Sequence, residues 1–377
     1  MTKTLHHRAC HLCEAICGLT IETTEVEGAG LQISSIKGDA QDSFSRGHIC
    51  PKAVALQDIQ NDPDRLRQPM LRVGSEWQAI EWDEAFKLVA ERLAAIQERH
   101  GHNAVAVYQG NPSVHNYGLM THSNYFLGLL QTRNRFSATS VDQLPQHLSS
   151  YLMYGHGLLL PIPDIDHTDF MLILGGNPLA SNGSIMTVPD VEKRLKAIQA
   201  RGGKVVVVDP RRSETAAMAD QHVFVRPGGD VALLFGMLHT IFEEGAMRDS
   251  HLPVDGLDAV RQAVSGFSAD AMSPLCSVPA SQIRQLARDF AAADKAVCYG
   301  RMGFPPSRSG PSVTGWCNCS TWSPATWIGS AVRFVPSRRW IWWRRRRAGI
   351  SMSGKAGFPD APNMAANCRC RPWPKRC

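Results

Sequence analysis

Four cysteines near the start of the chain have a spacing that could hold an inorganic cofactor. Cys10, Cys13 and Cys17 form a C-x2-C-x3-C run, Cys50 follows after a Gly-rich interval, and the next cysteine is Cys276. Thiolates two and three residues apart on a tight loop can reach neighbouring corners of one small inorganic centre, and a distant fourth thiolate can close it. The spacing therefore predicts a [4Fe–4S] cluster.

A structural zinc site with four thiolate ligands is the main alternative for the same residues. Zinc sites usually pair two C-x2-C halves, whereas the second half here has a single cysteine, so the spacing favours iron–sulfur. A disulfide is disfavoured because the chain opens without a signal peptide. We therefore expect a cytoplasmic protein, and no apolar run approaches the length of a membrane span.

The charge of the chain of 377 residues changes near residue 305. Residues 305–377 hold 13 Lys and Arg against one acid, together with seven of the nine tryptophans, whereas residues 1–304 hold 27 basic and 33 acidic side chains. The first 304 residues are therefore typical of a mildly acidic globular protein, long enough for two or three domains. The last segment has a different composition.

The cysteines are expected to lie in a small lobe formed by residues 1–60. Two short β-prone runs, 19–24 and 31–36, are joined by Glu-Gly-Ala-Gly and predict a hairpin beside the cluster. Residues 61–150 are expected to form a mixed α/β domain.

One helix and one strand can be predicted within that second domain. The helix has Asp83 as its N-cap and keeps an apolar spacing of helical period until Gly101. A buried strand is predicted over residues 104–108.

Residues 151–304 repeat a pattern of strand, polar loop and helix. Strands are predicted at 170–174, 205–208, 223–225 and 296–299, and helices at 191–200, 230–244 and 280–292. This pattern predicts a doubly wound parallel sheet, in which ligands bind beyond the carboxyl ends of the strands. Those ends carry Asn177, Asp209, Arg211, Gly228 and Gly300, a suitable set for the phosphate, ribose and base of a nucleotide. No G-x-G-x-x-G follows a strand, so an ordinary NAD-binding fold is not supported.

Together these residues resemble the molybdopterin oxidoreductase family, which includes formate dehydrogenases, nitrate reductases and relatives of dimethyl sulfoxide reductase. The matching motifs occur in family order between residues 8 and 303. They are the four cysteines, Cys50-Pro51-Lys52, Asp64-Arg65-Leu66, Trp82-Asp83-Glu84-Ala85, Gly176-Asn177-Pro178, Asp209-Pro210-Arg211-Arg212-Ser213-Glu214-Thr215-Ala216, Ala219-Asp220, Arg226-Pro227-Gly228-Gly229-Asp230 and Tyr299-Gly300-Arg301-Met302-Gly303.

The resemblance implies an α/β fold with an N-terminal [4Fe–4S] lobe, a mixed α/β domain and a Rossmann-like dinucleotide-binding domain. It implies a molybdenum (or tungsten) centre held by two molybdopterin guanine dinucleotides next to the cluster. The expected activity passes electrons between a small formate-like or nitrate-like substrate and an electron-carrier protein or redox subunit.

The resemblance also implies roles for individual residues. The cluster ligands would be Cys10, Cys13, Cys17 and Cys50, and Lys52 would relay electrons between the cluster and the pterin. The residues that contact the dinucleotide would be Asn177, Asp209, Arg211, Gly228 and Asp230. Without the flanking Cys50, a solvated surface lysine would be the first interpretation of Lys52. Asn177 and Asp209 each precede a proline and could be turn residues, and Asp230 could be only a helix cap.

The ligand that this family supplies to the metal has no clear counterpart. By resemblance, Leu148 falls nearest to the position that carries cysteine or selenocysteine in formate dehydrogenases, and a leucine cannot bind a metal. His147 or Ser149 could reach the metal or carry protons, although a polar helix face is the simpler interpretation of each. The substrate is therefore left open.

The family pattern stops after Gly303, and residues 305–377 are expected to be an irregular, non-native tail. We interpret this tail as out-of-frame translation. The codons that can encode Gly315–Val332 can be read in a shifted frame, in which the last base of each codon joins the first two bases of the next. One product that codon degeneracy allows in this frame is Leu-Val-Gln-Leu-Leu-Asn-Leu-Val-Thr-Gly-Asn-Leu-Asp-Arg-x-Gly-Gly. This sequence resembles what the family carries at this place. On this interpretation the alternative function is a truncated, non-catalytic product that binds at most an iron–sulfur cluster. A zinc-site protein with a basic nucleic-acid-binding tail is a more distant alternative, and no nucleic-acid partner is expected.

Overall fold

The computed structural model describes residues 3–301, apart from residues 14, 29, 141, 184, 185, 187 and 249–255. The segment 305–377, predicted to be irregular, lies outside the described residues. No helix in the described ranges combines the length and the apolar character that a membrane span requires.

The cysteine lobe is a three-stranded antiparallel sheet followed by two short helices. Its strands are β1 (Lys3–Ala9), β2 (Gly18–Val26) and β3 (Gly30–Gly38), in that spatial order, and its helices are α1 (Pro51–Val54) and α2 (Leu56–Asn61). The predicted hairpin is confirmed as β2 and β3. The additional strand β1 pairs Ala9 with Gly18, so the segment from Cys10 to Cys17 is the connection between two strands.

The region after the lobe contains two small sheets and three long helices. Its elements are β4 (Met70–Val73), β5 (Glu76–Ala79), α3 (Trp82–His100), β6 (Val107–Gln109), α4 (Tyr117–Leu130), β7 (Arg135–Ser137) and α5 (Leu144–Tyr154). The predicted helix is present and Gly101 ends it with a φ of 82°, but the N-cap is Glu81 and Asp83 lies in the first turn. The strand predicted at 104–108 is present but displaced to β6, and its predicted burial is wrong, because β6 pairs only with β7 in the described structure and Tyr108 is 70% exposed.

This middle region exposes apolar side chains that a folded core would ordinarily cover. The long helix α3 has no buried residue, although Phe86, Val89 and Ile96 follow its helical period. On α4, Tyr125 and Leu129 are also exposed. Large contiguous apolar surface usually marks a contact with another segment or protein.

A four-stranded parallel sheet organises the remainder, in the order β10-β9-β8-β11. The strands are β8 (Phe170–Leu174), β9 (Lys204–Val208), β10 (Gln221–Val223) and β11 (Ala296–Gly300). The helices are α6 (Pro178–Ser181), α7 (Val191–Ala200), α8 (Glu214–Met218), α9 (Asp230–Glu243), α10 (Leu257–Val264), α11 (Ala269–Cys276) and α12 (Ala280–Ala292). The strand predicted at 223–225 is displaced to β10. The predicted cap by Asp230 is wrong, because Gly229 occupies the N-cap position and Asp230 is the first helical residue.

Helices cover both faces of this sheet. Leu172 and Leu174 of β8 pack into a buried cluster with α9, α10, α11 and α12, whereas Met171 and Ile173 pack into a second cluster with α7 and α8. A strand buried on both faces needs an unbroken apolar sequence, which Phe-Met-Leu-Ile-Leu provides. The strand order reverses at β8, because β9 follows it on one side and β11 returns to its other side.

Candidate functional site

All four predicted cluster cysteines line a single pocket. Cys10 and Cys17 are almost fully buried there, while Cys13 and Cys50 are half-buried. Lys52 also lines this pocket, so the structure brings together every residue predicted for the cluster site. The pocket is also lined by His48 and by two residues that precede α7, Asn182 and Pro189.

The first three cysteines are brought together by a tight connection between β1 and β2. The backbone N–H of Cys10 donates to the carbonyl of Cys17 at 2.8 Å, which closes the connection at its base. Within it, the N–H of Ile16 donates to the carbonyl of Cys13 at 3.2 Å, and Ile16 has a left-handed φ of 38°. The sharp fold of this segment follows from these two hydrogen bonds.

The fourth cysteine is carried by the loop of residues 39–50, which is anchored to β2 beside Cys17. The Ser45 hydroxyl accepts a hydrogen bond from the N–H of Gly18 at 3.0 Å. The Asp42 carboxylate in turn accepts from both the N–H and the hydroxyl of Ser45, each at 2.6 Å. These contacts fix the start of the loop against the strand that follows Cys17.

The same loop lies against the end of β3 at a point where only glycine fits. A Cβ atom on Gly38 would lie 2.1 Å from the carbonyl oxygen of Gly47, far inside van der Waals contact. Gly47 itself has a left-handed φ of 83°. The two glycines therefore let the backbone pass closely enough to place Cys50 in the pocket.

Burial makes the buried thiols of the pocket reluctant to ionise. It raises the pKa of Cys17 to about 11 and also raises the pKa of Cys10. The other cysteines of the pocket add repulsion at both residues, whereas the positive charge of Lys52 opposes it at Cys10. Four thiolates in this pocket therefore need a cationic partner, which a metal centre supplies.

The residues predicted to contact a dinucleotide lie beyond the carboxyl ends of the parallel strands. Asn177 follows β8, and its side-chain amide donates to Glu214 at 2.6 Å while its carbonyl oxygen accepts from the Thr215 hydroxyl at 2.7 Å. Arg211, which follows β9, lies 3.5 Å from the same Glu214 carboxylate. Glu214 thus joins Asn177 to Arg211, although sequence reasoning did not select it as a site residue.

Asp209 and Asp230 form an acidic pair at the same edge of the sheet. Asp230 is 5% exposed, and the pKa of its carboxyl group is raised to about 6, chiefly by burial and to a smaller extent by the charge of Asp209. Asp209 accepts a hydrogen bond from the N–H of Arg211 at 2.7 Å. Gly228 has a left-handed φ of 80° and open space where a side chain would stand.

Arg301 lies where the strand order reverses, between the carboxyl ends of β8 and β11. Its N–H donates to the carbonyl of Leu174 at 2.9 Å, and its guanidinium lies 3.8 Å from Asp142 Oδ1. That oxygen is buried and has no hydrogen-bond partner among the residues the structure describes. Sequence reasoning named Arg301 only as part of a motif, although its position directly after a strand was a usable signal.

His147 contacts its own helix and the loop that follows it. One ring nitrogen lies 2.8 Å from the carbonyl of Gly157 and the other 3.3 Å from the side chain of Gln143. The neighbouring Leu148 is 42% exposed and Ser149 is fully buried. A role for His147 or Ser149 at a metal stays a prediction.

Comparison with known proteins assigns the family. The molybdopterin oxidoreductase profile matches residues 65–343, which is most of the chain and extends past residue 304 into the segment that we interpret as out of frame. The match begins after Cys50, so it does not include the four cysteines of the pocket.

Similar curated proteins catalyse different reactions. Formate dehydrogenase H of Escherichia coli is 31% identical over 273 residues, which are 70% of this chain and 37% of the relative. A molybdopterin-containing thiosulfate reductase subunit of Salmonella typhimurium is 27% identical over 77% of this chain and 36% of its own length. The nitrate reductase of Klebsiella oxytoca is 27% identical over 82% of this chain and 34% of its own length. The chain therefore spans about a third of the length of these relatives.

A solved structure supports the fold. Acetylene hydratase from Pelobacter acetylenicus superimposes with a TM-score of 0.68 over 86% of this chain and 44% of that protein, at 23% sequence identity. The profile match, the related sequences and the shared fold agree with the motifs described above: the chain belongs to the molybdopterin oxidoreductase family.

Proposed function

We propose that this chain is the cluster-bearing part of a molybdenum oxidoreductase, in which Cys10, Cys13, Cys17 and Cys50 hold a [4Fe–4S] cluster. The observation that carries the proposal is the convergence of these four cysteines and Lys52 on one pocket. The proposed organisation is an iron–sulfur lobe at 1–60, a mixed domain at 61–150 and a Rossmann-like dinucleotide-binding domain at 151–304.

The spacing of the cysteines favours a cluster over a zinc ion. A structural zinc site usually pairs two C-x2-C halves, whereas the second half here has the single Cys50. Each thiolate of a [4Fe–4S] cluster can bind a different iron, which suits a C-x2-C-x3-C run closed by one distant cysteine.

We infer that the strand-end residues bind molybdopterin guanine dinucleotide, two copies of which hold the metal. When bound, the molybdenum centre supplies two-electron chemistry on a small substrate and the cluster supplies one-electron relay. The bare backbone at Gly228 allows close approach of a ligand, and the carboxylates of Asp209 and Asp230 can accept hydrogen bonds from hydroxyl or N–H groups. Arg211 and Asn177 present donors of the kind that phosphate oxygens accept.

Lys52 is proposed to lie between the cluster and the pterin. Its positive charge acts on Cys10, which supports a position where it can adjust the potential of the cluster. His147 is proposed as a proton carrier, for which its imidazole would leave the carbonyl of Gly157. The substrate is proposed to be formate-like or nitrate-like, in line with the names of the relatives. A carrier protein or redox subunit is proposed as the electron partner, and the cytoplasm as the compartment.

Metal and nucleotide analysis of the chain purified without oxygen tests this proposal. We expect about four irons and four sulfides, about one molybdenum and about two guanine nucleotides per chain. Zinc in place of iron, bound by the same four cysteines, would overturn the cluster assignment. Iron and sulfide without molybdenum would overturn the catalytic assignment.

One structural observation favours a second function, a non-catalytic product that binds only the cluster. The apolar residues of α3 are exposed, as they would be if a covering segment were missing. Resequencing the gene tests the out-of-frame interpretation of residues 305–377. An intact frame with no extra or missing base near codon 304 would contradict it. We also expect that removing residues 305–377 would leave the affinity of the protein for nucleic acid unchanged.

A further inference from the structure

We propose that a groove on the cysteine lobe docks a small acidic electron-carrier protein. The groove has a volume of about 310 Å³ and is lined by residues of the lobe and by Arg65 just after it. The proposal rests on the proposed cluster, because a docking site for a carrier has a purpose only beside a redox centre. It adds the surface and the charge of the partner.

One buried hydrophobic cluster joins the groove to the cysteine pocket. Leu19 and Ile36 line the groove, and both belong to the buried hydrophobic cluster that contains Cys10 and Cys17. His11, which stands between two of the cysteines in sequence, also lines the groove. A carrier seated here would therefore contact side chains that pack in the same cluster as the cysteines.

The lining combines an apolar floor with a positive rim. The floor is aliphatic and includes Ile59, which is 57% exposed, while Arg8 and Arg65 supply the charges. Their guanidinium groups donate to the carbonyl of His7 and to the side chain of Gln60, so neither of these hydrogen bonds neutralises the charge. No Asp or Glu occurs among the lining residues, although acids outnumber bases over residues 1–304.

This combination matches a carrier that presents carboxylates around an apolar patch. Complementary charge mainly accelerates encounter and orients the partner, while the apolar contact contributes to the stability of the complex. Such steering weakens as salt screens the charges over about 10 Å at 0.1 M. The partner class is therefore a small acidic redox protein, not a basic one.

The test measures electron transfer into the cluster of the full chain. A reduced, acidic plant-type ferredoxin is mixed with the oxidised protein, and the second-order rate of cluster reduction is followed at several salt concentrations. We expect Arg8→Glu and Arg65→Glu each to lower this rate at least about fivefold at low salt. Arg72→Glu makes the same charge change on the exposed β4–β5 hairpin, outside the groove, and should change the rate less than about twofold.

A small reductant separates docking from damage to the cluster. Reduction by photoexcited deazaflavin should proceed at the same rate in wild type and in all three variants. Unchanged ferredoxin rates in both groove variants, equal losses in Arg72→Glu, or a rate independent of salt would overturn the proposal. The proposal would also be overturned if the wild-type protein formed a dimer that the Arg8→Glu substitution dissociates. The groove would then bind a second copy of the chain. If the wild type holds no reducible cluster, the proposed function fails and the docking proposal fails with it.

Discussion

The carboxylate of Asp166 lies 3.1 Å from the guanidinium of Arg194 on α7. It also lies 3.3 Å from Arg46, which belongs to the loop that carries Cys50. Arg194 completes the link by donating to the carbonyl of Phe44 in that loop at 3.1 Å. One carboxylate thus connects the cysteine lobe to a helix of the parallel-sheet region.

Replacing this carboxylate should destabilise the protein. We expect Asp166→Asn to lower the free energy of unfolding by about 1–2 kcal/mol, because Arg194, with a side chain 14% exposed, keeps a charge whose partner is lost. Urea denaturation measures the change. As a control, Glu192→Gln removes the exposed partner of Lys196 on the same helix and should cost less than about 0.5 kcal/mol. Equal losses in the two variants would contradict a special role for Asp166.

Removing a buried thiol should release iron only at the cysteine pocket. We expect Cys10→Ala to lose most of the bound iron, because one ligand of the proposed cluster is missing. Cys298→Ala removes an equally buried thiol from β11 and should retain the iron. Iron and acid-labile sulfide measured per chain distinguish the two variants. Full iron content in Cys10→Ala would rule out this cysteine as a ligand.

Neutralising Lys52 should lower the reduction potential of the cluster. Loss of a nearby positive charge makes the added electron less favourable, and a coupling of about 1 kcal/mol corresponds to roughly 40 mV for one electron. We therefore expect Lys52→Met to keep its iron but shift the potential by that order in the negative direction. Lys37→Met makes the same change on β3, away from the cysteine pocket, and should shift it less. Redox titration followed by electron paramagnetic resonance measures both.

A methyl group at Gly38 should displace the loop that carries Cys50. We expect Gly38→Ala to cost about 1–3 kcal/mol in the free energy of unfolding and to reduce iron content, because its Cβ would overlap the carbonyl of Gly47. Gly128→Ala adds a methyl group in open space on α4 and should be neutral or stabilising by up to about 1 kcal/mol. Thermal unfolding and iron analysis compare them. A tolerated alanine at Gly38 would show that the loop can shift.

Asp230 should make stability fall as pH rises. The pKa of its carboxyl group is raised from 3.8 to about 6 in the folded protein, chiefly by burial. Between about pH 4 and pH 6 the unfolded chain releases this proton while the folded protein keeps it, so the free energy of unfolding declines, by about 2–3 kcal/mol in total. We expect Asp230→Asn to remove this decline and to be more stable than wild type at pH 7.5.

Urea denaturation across this pH range measures the effect. Asp258→Asn, at an exposed position in the first turn of α10, should leave the decline unchanged. A decline that persists in Asp230→Asn would assign it to other groups. Guanine-nucleotide content of the same variant reports separately on the proposed binding role.

The parallel-sheet region was predictable because its sequence carries strong, redundant signals. The strand Phe170–Leu174 and the helices Val191–Ala200 and Ala280–Ala292 agree with the predicted bounds to the residue. Continuous apolar strands and periodic helices that stop at glycine or at a polar loop leave few alternatives. The cysteine spacing was equally informative, since a local turn determines where three of the four thiols lie.

The remaining features depend on contacts that a single sequence does not display. The first strand, with His6, His7 and Arg8, has no apolar alternation and is a strand only because it pairs with β2. Likewise, Tyr108 looked like a core residue, but its exposure depends on which other segments pack against β6. The proximity of Arg301 to Asp142 is a contact between residues far apart in sequence, which no local pattern displays.

The pairing of β8 with β11 has a consequence for how the protein is made. Phe170–Leu174 leaves the ribosome long before Ala296–Gly300, with which it pairs residue for residue. Until then this wholly apolar strand has an open edge, and such edges are sites of mispairing with other chains. Nascent β8 is therefore a segment of this fold that is open to mispairing, and translation that stopped before Gly300 would leave its edge without β11.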